Sequence, residues 1–315
     1  MEQSYSERNS VTLYSGINLF FIRLFTLLVP RILHPPFVFV TAAIFYLLLP
    51  YQRRGARANL RVVTGRRWVE PLVMSAYYKY CRNWTDTLLM FRLRGPALFG
   101  LIGREMGREC LDEALAKGSG AIIISAHLGN WELGGLGLAD RGYPLNFLTF
   151  RERDEKVNEL REEVRAERGI RFIYVDRNDP SPLAIIEAVN ALRRNEVLAL
   201  LGDRDGSSHT LSFDFFGRPV DIPVGAAYLA IATGAPVIPV FVLLEKGRYT
   251  TIMEEPIYFA EGRGGDHGMA IREGTERLLR VFESYIRQYP DQWYNFYDYW
   301  GKNKDEELRN LRAES

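Results

Sequence analysis

Between Ala121 and Leu244, five short runs of β-branched and other apolar residues recur. This alternation with helical stretches constrains the fold of the 315-residue chain more than any other feature. The runs are AIIISAH (121–127), LNFLTF (145–150), RFIYV (171–175), VLALLG (197–202) and PVIPVFVLL (236–244). EKVNELREEVRAER (155–168) and PLAIIEAVNALRR (182–194) between them carry helical periodicity. Strands joined through helices pair in parallel, and a parallel sheet is covered on both faces, so its strands are apolar throughout instead of alternating. The expected fold is therefore α/β, a mostly parallel sheet flanked by helices. No internal repeat, low-complexity tract or break in composition marks a second soluble domain.

The N-terminal region has a different character. From Val11 to Pro30 the chain is apolar apart from Arg23, and from Ile32 to Gln52 it has no formal charge. A membrane span needs about 20 continuous apolar residues, whereas Pro30, Pro35 and Pro36 divide this region into shorter helices. An interfacial or re-entrant helical pair is the expectation. Glu2, Glu7 and Arg8, with no small-residue cleavage site, fit a secretory signal poorly. Residues 51–110 then hold twelve Lys and Arg (among them Arg53, Arg54, Arg57, Arg61, Arg66 and Arg67) against four carboxylates, an excess of eight positive charges. A cationic block beside an apolar anchor is drawn to anionic head groups and stays on the cytoplasmic side; a solvated helical face is the plainer alternative. The division expected is residues 1–52 as membrane-associating helices and 53–315 as the soluble body. That body has a basic helical part (53–118), an α/β core (119–300) and a polar tail (301–315).

Composition removes several partner classes. The formal net charge of +1 offers no global field for nucleic acid. Cys81 and Cys110 match no metal-ligand spacing and are too few for a disulfide framework, so both are read as buried thiols in a reducing compartment. Arg outnumbers Lys 34 to six. The flat guanidinium fork suits phosphate-rich surfaces, although genome composition alone produces the same skew.

Sites in such sheets form beyond the carboxyl ends of the strands, and three loops there carry unusual polar residues. In SAHLGNWELGG (125–135), His127 ends an apolar strand. Asn130 is placed to cap the next helix, and Glu132 falls in its first turn, where the dipole favours a carboxylate. Glu132 brought back beside the imidazole would fix its tautomer and suit it to general-base work. The plainer reading is a capping Glu and a His satisfied by backbone. The zinc-peptidase, nucleophile-elbow and dinucleotide patterns are all missing from this loop. A His with a carboxylate and no nucleophile of its own suits deprotonation of a substrate hydroxyl. The second loop, DRNDP, places Arg177 between Asp176 and Asp179, as a phosphate contact or a structural ion pair. The third, GDRDG, holds Asp203, Arg204 and Asp205 between glycines; an orienting or turn role is expected there, and no metal.

Taken in order, these blocks resemble the bacterial lipid A biosynthesis acyltransferases and the related phosphatidylinositol mannoside acyltransferases, within the glycerolipid acyltransferase superfamily. HLGNWE (127–132) is similar to the His-x4-acid motif, GIRFIYVDRND to the arginine-bearing second motif, LLGDRDG to Asp-x-Asp-x-Gly and TGAPVIPVFV to the proline motif. FFGRPVDIPVGAAYLA (215–230) and PDQW (290–293) are also similar to family blocks. The resemblance implies His127 as general base with Glu132 as its partner, Arg177 as phosphate or head-group contact, and Asp203 and Asp205 as positioning residues. Arg151, preceded here by Phe150, lies where the family often has a Tyr-Arg pair and is carried as a further substrate contact, with Asn130 beside the base. Where the family usually has Gln or His between the third-motif aspartates this chain has Arg204, which leaves the acceptor open. The implied reaction moves a fatty acyl group from acyl carrier protein or acyl-CoA to a glycolipid hydroxyl, a lipid A precursor first, with no cofactor beyond the thioester. The implied location is the cytoplasmic face of the bacterial inner membrane. The alternatives are an ornithine, aryl-polyene or mannosylated lipid as acceptor, or a lipid-binding homologue that has lost catalysis; intact His127 and Glu132 speak against the last.

Overall fold

A computed structural model describes residue 29 and residues 33–150, 167–175, 182–204, 209–259 and 267–301. The chain divides into two compact units that interleave in sequence. One comprises residues 1–88, 212–221 and 283–315, and the other residues 89–211 and 222–282.

In the first unit, helix α1 (His34–Leu48) opens with prolines in its first turn, where a missing N–H costs nothing. It stops at Leu49 because Pro50 follows, and α2 (Pro50–Thr64) starts there at 96° to it. Gly65, in the left-handed conformation, ends α2 by donating its N–H to Arg61. Helix α3 (Glu70–Met90) follows. Val38, Ala42, Ala56, Leu60, Val73 and Tyr77 form the core between these helices. Glu70 ties them together, accepting from Arg57 and from the Tyr46 hydroxyl. Helix α1 buries only His34, Val38 and Ala42; Phe37, Phe39, Val40, Ile44, Leu47 and Leu48 face outward. Among the described residues no single helix is long and apolar enough to cross a membrane. Trp293, Tyr294, Tyr299 and Trp300 are buried, three of them against Phe215.

The second unit holds a seven-stranded sheet built from β1 (Ile102–Met106), β2 (Ala121–Ser125), β3 (Leu145–Phe150), β4 (Arg171–Val175), β5 (Val197–Leu201), β8 (Val237–Glu245) and β9 (Arg248–Met253). A separate two-stranded ribbon is formed by β6 (Thr210–Asp214) and β7 (Pro219–Pro223). Strand order is β1-β9-β8-β2-β5-β3-β4. Strands β8, β2, β5, β3 and β4 are parallel, as their apolar runs foretold. A tight turn at Lys246 and Gly247, both with positive φ, sends β9 back antiparallel to β8, and β1 pairs parallel to β9.

Helices α4 (Gly95–Phe99), α5 (Arg108–Ala116), α6 (Trp131–Asp140), α7 (Leu183–Arg193), α8 (Gly225–Thr233) and α9 (His267–Gln288) complete the described elements. Alternate strand residues Ala121, Ile123, Val197, Ala199, Val240 and Val242 share one cluster with Leu111, Ala114, Leu133 and Leu136 of α5 and α6. That period of two is what a sheet presents to one covering layer; α7 packs against α8.

The connections locate the site. Strands β2 and β5 are neighbours, yet the chain leaves β2 toward β3 on one side and leaves β5 toward β8 on the other. Ligand crevices in open α/β sheets form where such paths diverge, at the carboxyl ends of the strands.

Candidate active site

Strand β2 is buried along its whole length, and its end is held on both flanks. On one flank the Gly202 N–H donates to the Ser125 carbonyl at 2.9 Å, extending the β2–β5 ladder by one bond. Gly202 permits that approach, since a Cβ there would lie 2.5 Å from Ile124 Cδ1. On the other flank the Asn130 N–H donates to the Val242 carbonyl of β8 at 2.7 Å. Gly129 makes that contact possible: its φ is +70°, and a Cβ would sit 2.0 Å from the same carbonyl oxygen. Asn130 also caps α6, its side-chain oxygen accepting from the Leu133 N–H at 3.0 Å. The loop from Ala126 to Asn130 is thereby pinned between two strands and a helix start.

Parallel register decides which side chains meet across this frame. Ser125 pairs with Leu201, so residues 127 and 203 both stand two positions beyond the last paired rung. Asp203 is fully buried and uses Oδ1 twice, accepting from the His127 backbone N–H at 3.0 Å and lying 2.6 Å from His127 Nδ1. A carboxylate on Nδ1 holds the proton there and leaves Nε2 as the basic nitrogen, and it stabilises the imidazolium once a proton is taken up. The ring is partly exposed and meets the Trp131 indole edge-on at 5.4 Å between centroids. Its tautomer and position are set from one side while the ring stays open to solvent.

Asp203, read from the sequence as a positioning residue, places a carboxylate on Nδ1 of this ring. Glu132, expected to partner the base, stands buried in the first turn of α6. Asn130 takes the capping position foreseen for it. Arg151, Arg177 and Asp205 lie outside the described residues. Of the two thiols, Cys81 is buried as expected, but Cys110, in the first turn of α5, is only partly buried. Burial pushes the Cys81 thiol up to about 12, and burial with nearby Glu255 and Glu109 raises Cys110, so neither is primed as a thiolate nucleophile. Among the described residues no group of three or more His, Cys, Asp or Glu side chains is arranged to hold a metal ion.

An α/β sheet bearing a His–carboxylate pair at its carboxyl edge, with neither cysteine primed as a thiolate, has the parts that general-base activation of a substrate hydroxyl calls for. Residues 6–302 match the family described as bacterial lipid A biosynthesis acyltransferase. The chain belongs to that family and is an O-acyltransferase. It is 27% identical over 261 residues to a phosphatidylinositol mannoside acyltransferase of Mycobacterium tuberculosis, covering 82% of this chain and 80% of that protein. A phosphatidylinositol mannoside acyltransferase of Mycolicibacterium smegmatis is 26% identical over 260 residues, with 80% and 81% covered.

Proposed function

We propose that this enzyme transfers a fatty acyl group from an acyl thioester, on acyl carrier protein or coenzyme A, directly to a sugar hydroxyl of a membrane glycolipid. The observation that carries the reading is the Asp203–His127 pair at 2.6 Å beyond the ends of β2 and β5. His127 Nε2 takes the proton from the acceptor hydroxyl as that oxygen attacks the thioester carbonyl. The tetrahedral oxyanion is met by backbone N–H groups at the start of α6, reinforced by the helix dipole. On collapse the C–S bond breaks, the thiolate takes the proton back from the imidazolium, and the ester leaves. The thioester supplies the activation, so the scheme needs no further cofactor. Arg177, with Arg151, contacts the acceptor's phosphate or head group, and Asp205 orients the third loop.

A mannosylated phospholipid stands first among acceptors, because the relatives named for that activity match four-fifths of this chain. A lipid A precursor, suggested by the family as a whole, stands second. The enzyme works on the cytoplasmic face of the inner membrane. The outward apolar side chains of α1 enter the acyl region, and Arg54, Arg61, Arg66 and Arg67, all exposed and close after it in sequence, meet anionic head groups.

The test is lipid mass spectrometry on two bacterial hosts, one lacking its mannoside acyltransferase and one lacking its late lipid A acyltransferase. Each carries either the wild-type chain or His127→Ala. An added acyl mass in one host, present with wild type only, identifies chemistry and acceptor together. Equal acylation by His127→Ala would remove His127 from the chemistry.

A further inference from the structure

Among the described residues outside α1, exposed large apolar side chains cluster at the start of α7, with one more on α8. Leu183, Ile185 and Ile186 of α7 are 70%, 46% and 50% exposed, and Tyr228 of α8 is 51% exposed. Single exposed apolar residues are ordinary, but a cluster on adjoining helices calls for an occupant. In α7 the burial is uneven along the axis: Ala188, Ala191 and Leu192 in its second half are buried, whereas the apolar residues of its first turn face solvent. A helix serving only the core would carry polar residues there.

Topology places this patch. Helix α7 returns the chain from β4 to β5, and α8 returns it to β8, all three strands running parallel to β2. A helix in such a crossover runs antiparallel to its strands, so the first turns of α7 and α8 lie at the carboxyl edge of the sheet, where His127 and Asp203 stand. The two helices pack on one another, so Leu183 and Ile186 on one and Tyr228 on the other belong to the same edge of the sheet. No formal charge falls among the first four residues of either helix, and Glu187 is the first in α7. Tyr228 combines an apolar ring with a polar tip, the chemistry of a side chain at a lipid–water boundary.

We infer that this rim is a second membrane contact, separate from α1, with Leu183, Ile185, Ile186 and Tyr228 seated in the acyl-chain boundary of the bilayer at the mouth of the site. The inference rests on the lipid-acylating reading above. A lipid acceptor and a fatty acyl chain both need an apolar path from bilayer to base, and a rim that is apolar at that edge spares them passage through water.

Two measurements on the full-length protein test it. In the first, an environment-sensitive fluorophore is attached at Ile186→Cys in a Cys110→Ser background, and the protein is mixed with phosphatidylcholine–phosphatidylglycerol vesicles. The label is expected to shift to the blue and to be quenched by nitroxides on lipid acyl chains. The same label at Asn190→Cys, exposed toward the other end of α7, stays in water. Vesicle-bound protein whose residue-186 label remains water-like overturns the inference. So does self-association in vesicle-free solution that Ile186→Glu abolishes, since the rim would then belong to a second copy. In the second, the Leu183→Glu/Ile186→Glu variant is compared with wild type on acceptor lipid in vesicles and in detergent micelles. Transfer in vesicles is expected to fall about tenfold with little change in micelles; equal loss in both overturns the membrane role. Wild-type transfer in micelles, absent in His127→Ala, keeps the catalytic reading separate from this outcome.

Discussion

The two edges of the central sheet treat their buried carboxylates in opposite ways. At the carboxyl edge, Asp203 Oδ1 holds both the backbone N–H and the ring of His127, a ring left partly open to solvent. At the amino edge, Glu196 just before β5 is enclosed by hydrogen bonds from Asn146, Arg194 and Arg171. Burial alone would raise the Glu196 carboxyl, but those partners outweigh it and hold it at about 2. A carboxylate saturated by cations is locked in one charge state and stabilises the strand ends. One that orients a titratable ring transmits its charge to a proton-transfer group. Cluster composition alone would not separate them; what separates them is whether the partner can change protonation state.

Substitutions at the two edges should therefore divide cleanly between activity and stability. The largest effect is expected from His127→Ala, which removes the base: transfer falls by about 10³- to 10⁴-fold while the melting temperature stays within a few degrees. Near-normal turnover would make the carboxyl edge as structural as the amino edge. Asp203→Asn comes next, losing about 10²- to 10³-fold because the amide no longer enforces the Nδ1–H tautomer. Steady-state kinetics should place that loss in kcat, and a loss confined to KM would reassign Asp203 to substrate binding.

Gly129→Ala tests the frame and not the base. Its positive φ and the 2.0 Å approach to the Val242 oxygen predict a destabilisation of about 2 kcal/mol, with activity lowered through the displaced loop. Denaturant titration reads the first effect, and an unchanged midpoint would show that the loop is not pinned there.

The smallest effect belongs to the amino edge. Glu196→Gln should leave turnover untouched and remove about 1 to 2 kcal/mol, less than its shift implies because Arg171 and Arg194 are half-exposed and screened. The folded carboxyl lies below its ordinary value of 4.5, so its contribution is complete above that pH and is lost as pH falls toward about 2. Thermal melts of wild type and Glu196→Gln should differ by a constant amount near neutrality and converge in acid. Divergence on acidification would mean that the sign of the interaction is wrong.

The parts of this architecture that were legible in the sequence are those governed by local pattern. Five strands of the parallel sheet announce themselves as unbroken apolar runs, because a strand covered on both faces has no polar side to show. Strands β1 and β9 escape that reading because IGREM and RYTTIM interrupt their apolar residues with charged and hydroxyl side chains. The helix over 182–194 is found almost residue for residue at Leu183–Arg193, since its apolar spacing and flanking proline are local signals. At the site, His127 and Asn130 were identifiable from a strand-end histidine and a capping position. The contact of Asp203 with the ring was not, because it joins residues 76 apart in sequence.

By itself, then, the sequence determined the α/β class, the apolar N-terminal segment split by prolines, and the strand end at which His127 stands. These follow from periodicity, backbone restriction and side-chain type, all properties of a few neighbouring residues. Tertiary structure alone decided that β5 lies beside β2 in the register that pairs Ser125 with Leu201, and so that Asp203, two residues on, meets His127. It also decided that Leu183, Ile185 and Ile186 of α7 and Tyr228 of α8 are left exposed. Such outcomes depend on which distant segments pack together, and pairing across 76 residues is chosen by the burial of whole faces, which no local window of the chain contains.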